Sequence, residues 1–215
     1  MDLKRRTFTV GLLAALGATS GCLGFVRGED ALAFEAVGAR PSEGALAETD
    51  YRHAHTGVEP LSETIEIGER TREVELTNVV AEYGRDVDLG ALGTLPAATF
   101  AVLATPQFEV LGRTFHPGER VDPRRLVSEL DSTYDAVSVG EELEEWSLTV
   151  FDERVDVSTF EGRITIERTE IDARVHVGTA SNDDDLVIFA GAHPTAIGDE
   201  RTAIARLAGS LVPMA

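Results

Sequence analysis

Cysteine and lysine occur once each in these 215 residues, as Cys22 and Lys4. A single thiol excludes any intramolecular disulfide. Basic residues of any kind are scarce, 19 against 38 acidic ones, for a formal charge of −19. Phosphate backbones are bound by basic surfaces, so nucleic acid is excluded as a partner. The chemistry-bearing motifs are missing as well. The chain has no G-x-S-x-G elbow, H-E-x-x-H pair, Walker loop or G-x-G-x-x-G fingerprint, so no catalytic residue, metal ligand or cofactor is assigned. No internal repeat, low-complexity tract or long Pro/Gly/Ser linker divides it.

What is present begins at the amino terminus. Lys4-Arg5-Arg6-Thr7-Phe8 forms a charged head, Val10 to Ala18 an apolar stretch, and Thr19-Ser20-Gly21-Cys22 a small-residue end. A basic head, a short apolar run and small residues before a cleavage point mark an export signal. Arg5, Arg6 and Phe8 resemble the twin-arginine class of signal, which carries folded proteins across the membrane. Ser20 and Gly21 fit a peptidase cleft directly before Cys22, the acceptor thiol of a lipoprotein signal. Thr19 departs from the usual apolar residue of that motif. The rival is an uncleaved anchor: 20 uncharged residues separate Arg6 from Arg27, and a helical span needs about 20. Gly11, Gly17, Gly21 and Gly24 make that a poor hydrocarbon helix. Either way the bulk of the chain is expected on the extracytoplasmic face, attached to the cell membrane.

Removing residues 1–21 leaves 16 basic and 37 acidic residues, a charge of −21, with no lysine. Such a composition suits concentrated brine. At molar salt the Debye length falls to about 3 Å, so dense carboxylates scarcely repel one another. Lysine would add an apolar stem to the surface. The acids are spread through segments of a chain that is 43% hydrophobic, which favours a folded halophilic domain over an acidic tail.

The organisation predicted is a lipidated tether over residues 22–30 and a single domain over residues 31–215. Its fold class is expected to be α+β, a mostly antiparallel twisted sheet with two or three flanking helices. Thr64 to Ile67 and Glu73 to Tyr83 read as a hairpin about Gly68-Glu69-Arg70, and Thr99 to Ala104 and Phe108 to Leu111 as further strands. A meander follows: Trp146 to Phe151, Arg154 to Phe160, Arg163 to Arg168, Ile171 to Thr179 and Leu186 to Ala190. Asp152-Glu153, Glu161-Gly162 and Ser181 to Asp185 are its turns. The unbroken apolar run Leu186 to Ala190 predicts a strand covered on both faces. Helices are predicted from Asp122 with Pro123, from Asp199 with Ile204, Leu207, Ala208 and Leu211, and more weakly over Glu43 to Tyr51.

On the Glu73 to Tyr83 strand, the segment Leu111-Gly112-Arg113-Thr114-Phe115-His116-Pro117 and the closing strand and helix, the chain resembles a haloarchaeal family of twin-arginine-exported membrane lipoproteins. That family is labelled only as a domain of unknown function, so the resemblance implies an address and no activity. The last strand and helix also resemble, for fold alone, the extrinsic P subunit of photosystem II and related actinobacterial lipoproteins.

The remaining polar constellations read as structural. His53 and His55 form an H-x-H pair in what looks like a loop. His116 lies in a turn, and His176, between Val175 and Val177, is expected to face outward beside Arg174. Asp183-Asp184-Asp185 reads as a solvated acidic turn, lacking the glycine and closing glutamate of an EF-hand. Glu141, Glu142, Glu144 and Glu145 read as a solvated face and Trp146 as a core or rim anchor. The function expected is a non-catalytic binding or assembly module of the envelope, anchored to the membrane by lipid. Its partner would be an envelope protein or a small-molecule ligand. The alternative is an extracytoplasmic enzyme with an unrecognised active site.

Overall fold

In the computed structural model, residues 32–67, 70–110, 113–115, 134–166, 168–182, 184–198 and 200–214 are described. The described residues fall into two compact units, 32–33 with 62–67 and 70–75, and 34–61 with the described residues from 76 onward. The described part of the first is mainly the far end of a hairpin, within strands β3 (Arg52–Ile67) and β4 (Arg70–Asp88).

The second unit is built on a large sheet whose strands run in the order β1-β4-β5-β11-β10-β9-β8, with β3 paired to β4. The strands are β1 (Leu32–Glu35), β5 (Thr94–Pro106), β8 (Ala136–Val150), β9 (Glu153–Ile166), β10 (Thr169–Ser181) and β11 (Asp185–Pro194). Neighbours β4/β5, β5/β11, β11/β10, β10/β9 and β9/β8 are all antiparallel. Two short ribbons accompany it. One joins β2 (Ala39–Pro41) to β12 (Leu211–Pro213), the other β6 (Phe108–Val110) to β7 (Arg113–Phe115).

Two helices occur among the described residues. Helix α1 (Glu43–Thr49) starts at Ser42, whose Oγ accepts from the Ala45 amide at 3.2 Å, supplying one of the partners a helix start lacks. Helix α2 (Glu200–Ala208) buries Ile204, Leu207 and Ala208, spaced as one stripe on a helix face. The stripe lies on the sheet where Gly191 leaves room: a Cβ there would stand 2.6 Å from Ile204 Cδ1.

The α+β expectation is overturned. The protein is nearly all-β, with helices of only seven and nine residues beside strands of up to 19. The strands absorb segments that read as loops. His53 and His55 lie on β3, and Glu161-Gly162 is not a turn but the middle of β9, where Gly162 pairs with Ala173. The break between β8 and β9, expected at Asp152-Glu153, lies one residue earlier at Phe151 and Asp152, at φ 48° and 64°, a two-residue connection of the kind that matches strand twist. The helix expected from Asp122 falls outside the described residues, as do Gly68 and Glu69.

All ten residues of β11 are buried, as its apolar run predicts. Phe189 and Phe100, both fully buried, stack with centroids 6.3 Å apart. Opposite Phe189 stands Gly178, and a Cβ at that position would lie 2.3 Å from Phe189 Cζ. Gly178→Ala should therefore destabilise the fold by about 1–3 kcal/mol through overpacking. Phe189→Leu in the same chain should recover part of that loss. Denaturation midpoints of the two variants test this, and equal stability of wild type and Gly178→Ala would refute the close contact.

Candidate functional site

The face of the sheet that carries α2 also carries a polar cluster, brought there by strand alternation. Across antiparallel pairs, His176 on β10 stands beside Thr159 on β9, and Arg174 beside His193 on β11. Residues i and i+2 of a strand share a face, so Arg174 and His176 project together. His176 and His193 are 2% and 6% exposed.

With both rings neutral, their hydrogen bonds admit one proton arrangement. His193 Nδ1 lies 3.0 Å from the Pro194 carbonyl. A carbonyl only accepts, so Nδ1 carries the proton and Nε2 of the neutral ring is an acceptor. His176 Nε2, 3.1 Å away, must then donate to it. That leaves His176 Nδ1 to accept from the Thr159 hydroxyl at 2.9 Å. Thr159 Oγ1 in turn accepts from the Trp146 indole N–H at 3.1 Å. Five groups thus form a directional chain from Trp146 to the Pro194 carbonyl. The surroundings favour the neutral form of both imidazoles. Burial, then the neighbouring His193, Arg201 and Arg174, push His176 down to about 3. Burial also pushes His193 down, against the Pro194 carbonyl, which holds its proton.

A second polar cluster adjoins it at the start of α2. Glu200, 2% exposed, accepts from the Tyr51 hydroxyl at 2.7 Å and is ion-paired with Arg85. Arg85 sits at a register shift between β4 and β5, where a bulge re-aims a side chain. Its guanidinium carbon lies 5.8 Å from the Tyr51 ring centre. Burial, and then the Glu200 charge, raise the Tyr51 hydroxyl well above its ordinary value; it donates and does not ionise.

Between these clusters opens a cleft of 340 Å³, with His176, His193, Thr159 and Glu200 as its floor and Arg174, Arg201, Glu144 and Leu143 at its walls. Arg201 stands over the Trp146 ring at 4.7 Å and pairs with Glu144 at 3.2 Å.

The structure redistributes the residues singled out from sequence. His176 does not face outward. Its expected orientation followed from Val175 and Val177 being buried, but both faces of β10 are covered at this point, and the same holds for His193. The double-sided burial legible in β11 was the available signal, because β10 is its paired neighbour. His53 and His55 are exposed, and His53 shares a hydrogen bond with Thr56 at 2.7 Å. Asp185 is not solvated: fully buried, it accepts from the amides of Val37 (3.2 Å) and Gly38 (2.8 Å) and so fastens the start of β11 to the approach to β2. Burial raises its carboxyl above the usual range despite those two donors. Glu141, Glu142, Glu144 and Glu145 are exposed, as a solvated face requires. Arg5, Arg6, Phe8, Ser20, Gly21, Cys22 and His116 lie outside the described residues. Among the described residues no group of three or more His, Cys, Asp and Glu is placed to hold a metal ion, and no helix is long and apolar enough to cross a membrane.

No curated protein matches the chain. A family model does, over residues 38–212, a span that runs from β2 to β12 and takes in every residue of the cleft. On that match the chain belongs to the family described as a domain of unknown function, DUF6517.

Proposed function

We propose that this protein is a lipid-anchored, extracytoplasmic binding module of a brine-adapted cell envelope, exported by the twin-arginine route and held to the membrane through Cys22. The observation that carries the anchoring is the order Arg5-Arg6-Thr7-Phe8, apolar stretch, Ser20-Gly21-Cys22, which places the chain's sole thiol where a lipoprotein acceptor stands. The charge of −19 with one lysine supports the brine habitat.

Binding is favoured over catalysis by the state of the polar groups. A general base needs a nitrogen or carboxylate within reach of a substrate proton. Here each ring nitrogen of His176 and His193 is engaged inside the protein. Glu200 is held by Tyr51 and Arg85.

Cys22→Ser tests the anchoring. The variant should appear in the medium, or accumulate as unprocessed precursor, when membrane and soluble fractions are compared by mass. Unchanged membrane retention with unchanged mass would end the lipoprotein reading.

A further inference from the structure

We propose that the cleft beside α2 binds a small organic monocarboxylate, held by Arg174. This deepens the reading of the protein as a binding module and does not depend on how the chain is tethered.

Three guanidiniums surround the buried histidine pair. Arg85 is neutralised by Glu200 and Arg201 by Glu144. Arg174 is half-buried and has no ion-pair or hydrogen-bond partner among the described residues. Glu161 stands across from it on β9 but forms no ion pair with it. The cleft therefore carries one uncompensated positive charge, in a chain with twice as many acids as bases. The histidines respond to that field, because Arg174 helps to push both of them down.

The balance selects the ligand. One free cation matches one negative charge. A phosphate would bring more charge than Arg174 can offset, beside the carboxylates of Glu144 and Glu200. A planar carboxylate also suits the two-pronged donor geometry of a guanidinium. A volume of 340 Å³ lies at the lower end of the range for small-molecule sites, about 300–1,000 Å³. Leu143 on the wall is an exposed large hydrophobic, available to the ligand's apolar part.

A metal ion is the rival occupant, since two imidazole nitrogens stand 3.1 Å apart. Their rings are within 12° of parallel with centroids 5.3 Å apart, so the nitrogens meet nearly head-on, as a hydrogen bond requires. A shared metal needs lone pairs that converge on a third point. Arg174 and Arg201 at the same cleft also repel a cation. At molar salt the acidic surface is screened within about 3 Å, so an anion reaches the cleft despite the overall charge.

The chain's one tryptophan is a built-in reporter, because Trp146 touches Thr159 and Arg201, both of which line this cleft. The full chain should be titrated with isovalerate, its neutral amide and inorganic phosphate, at constant molar salt, following indole emission. Isovalerate should give a saturable change and the amide none. Arg174→Gln should weaken isovalerate about tenfold or more, as expected for losing a hydrogen bond to a charged group. Arg174→Lys should recover part of it. Arg163→Gln should leave it unchanged, because Arg163 is exposed and paired with Glu170 and Asp172. No saturable response to isovalerate, an equal response in Arg174→Gln, or an equal response to the amide would overturn the site. Tighter binding of phosphate would overturn the carboxylate assignment. Cys22→Ser should not alter the titration, so failure of the anchor and failure of the cleft are told apart.

Discussion

Arg85→Met should destabilise the protein by about 3–5 kcal/mol, the cost of leaving a buried charge without its partner. Glu200 is 2% exposed, and without the guanidinium its carboxylate would keep, among the described residues, the Tyr51 hydroxyl. The informative variant is the double one. Glu200→Gln in the Arg85→Met background removes the stranded charge, and the amide oxygen can still accept from Tyr51. Most of the lost stability should return. Chemical denaturation of the two singles and the double, at constant molar salt, gives the coupling directly. A double variant no more stable than Arg85→Met alone would show that Glu200 is not charged or not buried as described.

The second large effect is on the pH dependence of stability. An unfolded histidine protonates near its ordinary value of 6.5, whereas native His176 is held at about 3. Between those limits the unfolded state binds a proton that the native state refuses, so stability falls as the pH is lowered from 6.5 towards 3. The slope is about 1.4 kcal/mol per pH unit for each histidine so held. Above 6.5 the contribution is complete and flat. Glu82 and Asp185 act in the opposite direction, because burial raises both carboxyls and acid relieves their desolvation. The readout is therefore the difference between wild type and His176→Gln, which cannot protonate at that position. The variant carries a constant offset from its altered hydrogen bonds and should lose about one proton's worth of slope in this window. Parallel pH profiles for the two proteins would mean that His176 protonates freely in the folded state.

Both effects arise from polar residues whose surroundings sequence patterning did not reveal. Local patterns located the strands: alternation for Glu73 to Tyr83, turn residues between segments for those around Thr99, Trp146 and Ile171, and an unbroken apolar run for Leu186 to Ala190. Both described helices are legible there too, α1 weakly over Glu43 to Tyr51 and α2 from Asp199 with the Ile204, Leu207, Ala208 spacing. Strand length escaped these patterns. Charged and glycine residues such as Glu161 and Gly162 look like a turn when read alone. Their continuation as β9 depends on ladder bonds to Ala173 and Arg174, more than ten residues away. A fold that reads as α+β is for that reason nearly all-β.

Composition and order alone determine the charge, the solitary Cys22, the signal-like amino terminus and the apolar run of β11, because each is a property of neighbours in the chain. Tertiary structure decides which side of a strand is dry. His176 lies in the interior only because His193 meets it across the sheet and α2 lies over that face, an arrangement set by residues far apart in sequence. The same packing leaves Arg174 without a carboxylate partner among the described residues while supplying Arg85 and Arg201 with theirs. Charge pairing across a fold follows distance in space, and no spacing along the chain encodes it.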